Sequence, residues 1–144
     1  MTDDEQLGKP EPISNAYTAF YWEGAAAGEL RVQCCAACEH RQFPPNVLCE
    51  KCQSADLTHV VSSGTGTIYA KTVMHQAFHP AFADSVPFAL VLVDLDDSPG
   101  VRIETNLVDS DPSAAQIGDA VHAVFEKRGD SVLPQFTLTK GGAA

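Results

Sequence analysis

Two cysteine pairs constrain this chain more than any other feature of its sequence. Cys35 and Cys38 form the first pair and Cys49 and Cys52 the second, with ten residues between the pairs. A C-x-x-C turn lets two thiolates approach one metal ion, and two such turns complete the four-sulfur tetrahedral shell that Zn²⁺ prefers. Because protein then fills all four positions, the sequence predicts a structural zinc ion that leaves no open position for catalysis.

Other uses of these cysteines fit the sequence less well. Disulfides need an oxidising compartment, but the first residues lack the basic and apolar segments of a signal peptide. A thioredoxin-like redox pair would open a helix in a βαβ unit, whereas these pairs lie in Pro-containing loop sequence. An iron–sulfur centre also uses four thiolates, although the spacing favours zinc. Cys34 could replace Cys35 in a longer C-x-x-x-C register, but we interpret it as a spare apolar thiol and His40 as a loop side chain.

The charge of the chain argues against nucleic acid as its partner. The formal net charge is -10, from 9 basic and 19 acidic residues. Nucleic-acid binding depends on Lys and Arg that neutralise phosphates, and an anionic membrane surface would also repel this chain. The longest apolar run, at 87–93, has the length of a strand and not of a membrane span. We therefore expect a globular, cytoplasmic protein without a membrane partner.

An aromatic helix is predicted near the start of the chain. Residues 1–13 are polar and acidic and predict a disordered tail, after which Ser14 or Asn15 can cap a helix at 14–29. Tyr17, Phe20 and Tyr21 recur with helical spacing, so they share one face. These rings, with the adjacent Trp22, either dock onto the chain's own fold or form a stripe that contacts a partner or ligand.

The rest of the chain predicts a mainly β fold. Residues 30–61 form the zinc ribbon, and metal binding supplies its folding energy because so small a unit buries no core of its own. Residues 62–140 contain five predicted strands and no helix of convincing length, which fits an OB-fold barrel whose first strand coils at Gly64 and Gly66. Residues 141–144 are expected to be flexible. The five strands are predicted at 64–75, 87–94, 101–108, 120–127 and 134–139.

The loop between the first two barrel strands is unusually apolar. Phe78 and Phe82 would cost free energy if they were left in water, so this loop is a candidate contact surface. His75, His79 and Asp84 in the same region could in principle hold a second metal ion, but we favour a plain loop.

Five further segments stand in a recognisable order around the cysteine pairs. They are the aromatic helix, Arg41-Gln42-Phe43-Pro44-Pro45, the glycine-containing start of the barrel at 64–69, the apolar strand at 87–95, and Ile117-Gly118-Asp119-Ala120-Val121. Across residues 16–139 this order resembles the family catalogued as domain of unknown function 35 (DUF35), in which a rubredoxin-like zinc ribbon precedes an OB-fold. One departure is Glu39, because the family usually has glycine after the first knuckle.

The resemblance implies an accessory role. Members of this family are non-catalytic subunits of thiolase-fold enzymes that act on acyl-CoA thioesters by thiolysis, Claisen-type condensation or retro-aldol cleavage. It implies a hetero-oligomer, such as α2β2, in which this chain lines the channel for the acyl group or pantetheine and the catalytic residues belong to the partner. CoA thioester would then be a ligand of the complex, with its phosphates on the partner, because this chain offers only scattered cations at Lys71, Arg102 and Arg128. The expected partner or channel residues are Tyr17, Phe20, Tyr21, His75, Phe78, His79, Phe82 and Phe88.

Two alternatives remain open from the sequence. The chain could be a stand-alone thioesterase or lyase that uses His75 or His79, although no nucleophile motif accompanies them. It could also be a single-stranded nucleic-acid binder, since OB-folds stack bases on aromatic side chains, but the basic groove is missing.

Overall fold

The computed structural model describes residues 8–139, and within that range it contains one short α-helix and eight β-strands. A 3-10 helix, Pro80–Phe82, lies in the loop between the strands Thr65–Met74 and Phe88–Leu95. The elements are α1 (Ala19–Ala26), β1 (Leu30–Cys35), β2 (Arg41–Gln42), β3 (Leu57–Ser62), β4 (Thr65–Met74), β5 (Phe88–Leu95), β6 (Arg102–Leu107), β7 (Ala120–Arg128) and β8 (Ser131–Leu138).

The first three strands form the zinc ribbon. They make an antiparallel sheet in the order β2-β1-β3, in which Gln33 lies opposite Gln42. Both glutamines are buried, and Gln42 Nε2 donates to Gln33 Oε1 at 2.7 Å. Gln33 also donates to the carbonyl of Asn46, and Gln42 accepts from the backbone N–H of Glu50. These bonds tie the loop between the two cysteine pairs to the sheet.

The remaining five strands close into a barrel in the order β4-β5-β6-β8-β7, with β7 returning to β4. A register shift between Ile68 and Ala70 bends β4, so the strand pairs with β7 at one end and with β5 along its length. β6 and β8 run parallel and pair only at Leu107 and Phe136. The expected fold class is confirmed: one short helix, a zinc ribbon and a five-stranded OB-fold barrel.

Alternation along the barrel strands decides which side chains enter the core. In β6, Ile103, Thr105 and Leu107 are buried and their neighbours are more exposed, as the sequence pattern predicts. In β5, Ala89, Val91 and Val93 are fully buried, whereas the opposite face is half-buried. Because apolar side chains alternate onto both faces of this strand, the sequence predicts cover on both sides, whereas the structure covers the outer face only in part. The outward residues are Phe88, Leu90 and Leu92.

The helix α1 lies between the two units and packs against β1 of the ribbon and β8 of the barrel. Asn15 caps the turn before it, because Asn15 Oδ1 accepts from the backbone N–H of Tyr17 at 2.8 Å and of Thr18 at 3.1 Å. Of the expected acidic tail, residues 1–7 lie outside the described residues. Glu11 contacts the turn between β7 and β8, where it accepts from the hydroxyl of Ser131 at 2.8 Å. The expected flexible residues 141–144 also lie outside the described range.

A polar joint connects the ribbon to the turn between β5 and β6. Asp97 in that turn accepts from the Ser62 hydroxyl at 2.8 Å and from the Ser63 N–H at 2.7 Å. Arg41 of β2 donates to the Asp97 carbonyl at 2.7 Å and to Ser98 Oγ at 3.0 Å. Gly100 completes the turn with φ of 84°, in the left-handed region that glycine adopts most easily. The joint fixes one end of the ribbon on the barrel, and α1 fixes the other.

No helix among residues 8–139 has the length and apolar character that would let it cross a bilayer.

Candidate functional site

The four paired cysteines meet in one cluster at the tip of the ribbon. The sulfur atoms of Cys35 and Cys52 are 3.6 Å apart and those of Cys38 and Cys49 are 3.7 Å apart, and all four lie within 4.8 Å of one another. Sulfurs about 2.3 Å from a central zinc ion would stand about 3.8 Å apart at the corners of a tetrahedron. The cluster therefore has the size of a four-thiolate zinc shell, and its sulfurs are too far apart for disulfides.

Backbone N–H groups point at the first cysteine of each pair. Cys49 Sγ accepts from the N–H groups of Cys52 and Lys51, each at 3.4 Å, and Cys35 Sγ accepts from those of Ala37 and Cys38. The bond from Cys52 is the main reason that the pKa of Cys49 falls to about 6, and that from Cys38 likewise lowers the pKa of Cys35. The two knuckles thus stabilise the thiolate form, which is the form that binds metal.

The second cysteine of each pair behaves in the opposite way without a cation. A backbone hydrogen bond from His40 lowers the pKa of Cys38. Burial and the three neighbouring cysteine sulfurs outweigh this effect and raise the pKa to about 12. Four thiolates this close repel one another unless a cation lies between them. The residues present therefore fit Zn²⁺, which Cys35, Cys38, Cys49 and Cys52 would hold and which would cross-link the two knuckles.

Cys34 and His40 lie outside this cluster, as the sequence predicts. Cys34 is buried, and its thiol faces the carbonyl of Glu39 at 3.7 Å. His40 Nε2 is 2.7 Å from Glu50 Oε2, and this contact connects the first knuckle to the second on their exposed side.

The aromatic side chains of the N-terminal segment separate into different environments. Tyr17 is exposed, whereas Phe20 stacks on His59 of the ribbon with ring centroids 5.3 Å apart. Tyr21 is only 7% exposed and packs against Trp22 and Phe43, and burial raises its pKa. These residues do not form one exposed stripe, because Phe20 and Tyr21 pack against the ribbon of the same chain.

The β4–β5 loop, residues 75–87, brings three of the expected contact residues together. The ring of Phe82 lies 6.0 Å from that of His79 and 5.8 Å from that of Phe88. Phe78 is 78% exposed, and His75 is also exposed. Phe78 is therefore the most prominent apolar side chain of this surface.

The two loop histidines do not build a metal or catalytic centre. His79 Nδ1 accepts from the backbone N–H of Ala81 at 3.0 Å and begins the 3-10 helix. Within residues 8–139, the four-cysteine cluster is the group of side chains that could hold a metal ion, and His75, His79 and Asp84 do not form another.

The scattered basic residues are engaged within the chain. Lys71 Nζ donates to the carbonyls of Pro112 and Ala115, at 2.8 and 2.6 Å. Arg102 pairs with Asp94 at 2.8 Å and lies 3.8 Å from the centre of the Tyr69 ring, and Arg128 pairs with Glu126 at 2.8 Å. They do not combine into a basic groove that would bind nucleic acid.

A cavity that the sequence did not predict lies between the two units. This cavity, here called the junction cavity, has a volume of about 450 Å³ and lies between α1, the ribbon loop at 43–45 and the outside of β5, β6 and β8. Its residues are far apart in the sequence, so only the folded topology brings them together. They are Thr18, Tyr21, Trp22, Phe43, Pro44, Pro45, Leu90, Glu104, Thr105, Asn106, Leu133, Pro134 and Gln135.

Comparison with protein families identifies both units. The profile described as the rubredoxin-like zinc ribbon domain of ChsH2 matches residues 22–58, and that of the C-terminal OB-fold domain of ChsH2 matches residues 59–126. A DUF35 domain-containing scaffold protein of Methanothermobacter thermautotrophicus is 32% identical over 94 residues, which cover 65% of this chain and 68% of that protein.

Two further relatives are much longer proteins. A probable enoyl-CoA hydratase alpha subunit of Thermomonospora curvata is 39% identical over 110 residues, covering 76% of this chain and 33% of the relative. The 3-oxo-4,17-pregnadiene-20-carboxyl-CoA hydratase alpha subunit of Mycobacterium tuberculosis is 39% identical over 115 residues, covering 79% and 35%. The chain therefore spans about a third of the length of these two relatives.

Solved structures extend the likeness to nearly the whole chain. A chain of the Ltp2-ChsH2(DUF35) aldolase superposes with a TM-score of 0.80 at 35% identity, and the match covers 89% of this chain and 98% of that one. A DUF35 protein of unknown function from Sulfolobus solfataricus superposes with a TM-score of 0.61 at 11% identity over 88% and 87% of the two chains, which shows a shared fold.

Proposed function

Because this chain belongs to the DUF35 family of zinc-ribbon and OB-fold proteins, we propose that it is a non-catalytic accessory subunit of a thiolase-fold enzyme. The enzyme would form or cleave carbon–carbon bonds in acyl-CoA thioesters, by thiolysis, Claisen-type condensation or retro-aldol cleavage. In this proposal the chain forms a hetero-oligomer, such as α2β2, and shapes the channel for the acyl group and pantetheine. A cytoplasmic location fits four cysteines that must stay reduced to bind a metal ion.

The match to the Ltp2-ChsH2(DUF35) aldolase carries this proposal. It covers 98% of the matched chain. At 35% identity the likeness extends to sequence as well as fold. A subunit that works in a complex with another protein is therefore a reasonable template for this one.

The names of the relatives also favour a supporting role. The module occurs in proteins named as hydratase subunits, in an aldolase and in a scaffold protein. Hydration and aldol cleavage need different catalytic groups, so a shared module is better explained by binding and assembly than by chemistry.

The side chains of this chain agree with that interpretation. His79 uses Nδ1 to accept a backbone hydrogen bond, and the two loop histidines form no hydrogen bond with a described acid or nucleophile. The proposed docking surface comprises His75, Phe78, His79, Phe82 and Phe88, and Tyr17 with the half-exposed Phe20 is proposed as a separate contact beside the ribbon. Phe78 is its centre, because an aromatic side chain left 78% exposed gains most from burial against a partner.

The proposal is tested by assembly. The chain is co-expressed with thiolase-fold proteins encoded beside its gene, and each mixture is analysed by size-exclusion chromatography with light scattering. We expect co-elution at a fixed molar ratio, and turnover of an acyl-CoA thioester by the complex but not by this chain alone. Phe78→Asp should weaken co-elution at least tenfold, because burying the new carboxylate in an apolar contact is costly.

Ile117→Asp is the matched control, since Ile117 is 70% exposed but lies outside the proposed surface. It should leave assembly unchanged. A chain that stays monomeric with every candidate contradicts the proposal. Turnover by the chain alone, lost in His75→Ala or His79→Ala, would instead support the stand-alone enzyme.

A further inference from the structure

We propose that residues 9–11 form a removable strap, which covers the ring of Phe82 in the proposed docking surface and competes with the partner subunit for it. This inference rests on the proposed function and deepens it, because it adds a regulatory contact to the same surface. The strap touches the barrel at three points, which are the β7–β8 turn, Arg128 at the end of β7, and Phe82 in the β4–β5 loop.

The carboxylate of Glu11 makes the first of these contacts. Glu11 Oε1 accepts from the Ser131 hydroxyl at 2.8 Å and from the backbone N–H of Asp130 at 3.2 Å. That N–H donates to no other described group. A Cβ atom on Gly129 would collide with the Glu11 carboxylate, so the absence of a side chain there makes room for it. The β7–β8 turn is therefore shaped to hold an acidic side chain.

Two further contacts carry the strap from this turn to the docking surface. Arg128 Nη1 donates to the carbonyl of Pro10 at 3.3 Å. Lys9 Nζ lies 5.3 Å from the centroid of the Phe82 ring, which is within the range of a cation–π contact. A cavity of about 300 Å³ is lined by Lys9, Phe82 and Phe88, among other residues. The strap thus closes one side of a cavity whose other walls include two rings of the docking surface.

The sequence of the strap keeps it extended. Lys9 precedes Pro10, and Glu11 precedes Pro12. Proline fixes its own φ and disfavours the helical conformation of the residue before it, and residues 8–15 accordingly form no helix or strand. An extended segment can reach two separate places on the barrel, and it loses little conformational entropy when it binds there.

The strap is held weakly enough to be released. Ile13, the large apolar side chain that follows it, is 90% exposed, and Glu11 is exposed as well. Polar contacts close to water therefore hold the strap, without burial of apolar area, and such segments are among the least stable parts of a fold. A partner that packs on Phe82 and Phe88 would bury apolar rings and so displace Lys9 from its place on Phe82.

Closure of the strap is tested by NMR on the zinc-loaded full chain. The Asp130 N–H reports closure, because Glu11 is its acceptor among the described residues. We expect Glu11→Ala to speed the exchange of this N–H with water about fivefold, which corresponds to the net loss of one hydrogen bond. The same substitution should increase the relaxation of the Phe82 ring protons by TEMPOL, a neutral nitroxide that measures access to the ring.

Ile13→Ala is the matched control, since it changes the same segment at a side chain that is 90% exposed. It should leave both NMR signals as they are. Ser131→Ala removes a donor to Glu11 from the barrel side without altering the strap, and it should act in the same direction as Glu11→Ala. If Glu11→Ala changed neither the Asp130 exchange nor the access to Phe82, the inference would be overturned.

Competition is tested by the affinity for the thiolase-fold partner that co-elutes with the chain. We expect Glu11→Ala to bind this partner about fivefold more tightly than the unaltered chain, because a closed strap keeps most of the chain from binding. Ile13→Ala should bind with unchanged affinity. Equal or weaker binding by Glu11→Ala would show that the segment supports the fold or the complex and does not compete.

These outcomes are separable from those of the assembly test. A chain that joins a partner but shows no NMR difference in Glu11→Ala would overturn the strap and leave the proposed function in place. A chain that shows both NMR differences but joins no partner would contradict the proposed function and leave the cover over Phe82.

Discussion

The residues that follow the two zinc knuckles share a strained backbone conformation. Glu39 and Gln53 both have φ of 65°, in the left-handed region that glycine adopts most easily. The family usually has glycine at the first of these positions, and the backbone here explains that preference. We expect Glu39→Gly to stabilise the zinc-bound ribbon by about 0.5–1 kcal/mol, measured by chemical denaturation in the presence of zinc.

Ala55→Gly serves as the control for that substitution. Ala55 is exposed in the same unit but does not have a positive φ. Glycine there should destabilise the chain slightly, because it adds freedom to the unfolded state. If both substitutions lowered stability, the strain at Glu39 would not be what limits the first knuckle.

Asp97 gives the joint between ribbon and barrel a dependence on pH. Partial burial alone would raise the pKa of Asp97, but hydrogen bonds from the Ser63 N–H and the Ser62 hydroxyl outweigh it and lower the pKa below its ordinary value. A lowered folded-state pKa means that the carboxylate stabilises the fold above about pH 4 and loses this effect as pH falls through the folded-state pKa. We expect Asp97→Asn to lower Tm at pH 7, and this deficit to shrink under acid.

Comparison of variants at each pH removes the general effect of acid on the zinc site. Asp96→Asn is the control, because Asp96 is the exposed neighbour in the same turn. Its Tm should follow that of the unaltered chain at every pH. An NMR titration of Asp97 that gave an ordinary carboxyl pKa would contradict the argument.

Residues were predictable from the sequence where their chemistry is local. The zinc cysteines stand in two short motifs, and the Asp96–Gly100 turn is specified by adjacent residues. Gln135 and Leu90 carried no such signal, because an isolated glutamine or leucine in a strand has many possible neighbours. The expected contact residue Tyr21 turned inward for a similar reason: periodicity shows that a helix has an apolar face but not what that face packs against.

Among the elements, β4 depends on a close approach between strands. Gly66 lies opposite Leu95 of β5 and Val121 of β7, and a Cβ atom at this position would collide with the carbonyl oxygen of Asp94. Backbone atoms cannot yield as a flexible side chain can. We expect Gly66→Ala to lower the free energy of unfolding of the barrel by about 1–3 kcal/mol, measured by thermal denaturation.

Thr67→Ala, at the next position of the same strand, is the control and should cost less, because Thr67 is only partly buried. Equal losses for the two variants would mean that β4 tolerates a side chain at Gly66. The sequence had already suggested glycine for the coiling of this strand, and the structure adds the backbone contact that requires it.

The end of the barrel shows how far elements could be predicted. The sequence predicts the last strand at 134–139, whereas β8 begins at Ser131 and contains Pro134 in its interior. Proline is tolerated because β6 and β8 pair only at Leu107 and Phe136, so the ladder between these two strands requires no backbone N–H from Pro134. The same incomplete pairing leaves the gap that the junction cavity occupies. Local patterns predict strands well, but they do not show where two strands fail to pair.

At the scale of the whole molecule, the ribbon and the barrel share one apolar cluster. Leu30 and Val32 of β1 belong to the same cluster as Ile68, Val93 and other barrel residues. Tyr21 of α1 also belongs to it, and Trp22 packs against it. The barrel closes on itself without a metal ion, whereas the ribbon relies on its cysteine cluster. Loss of zinc should therefore unfold the ribbon and disturb α1 while the barrel strands persist.

Removal of zinc by a chelator tests this hierarchy. Structural zinc contributes about 10–16 kcal/mol in zinc-finger peptides, which exceeds what the small ribbon sheet supplies. We expect a chelator to release one zinc ion per chain and to shift Trp22 emission toward that of exposed tryptophan. Most of the β-sheet signal in circular dichroism should remain. Cys49→Ser should reproduce the metal-free state, whereas Cys34→Ser should keep its zinc because Cys34 lies outside the cluster. A chain that lost its zinc without any change at Trp22 would show that the ribbon folds without the metal.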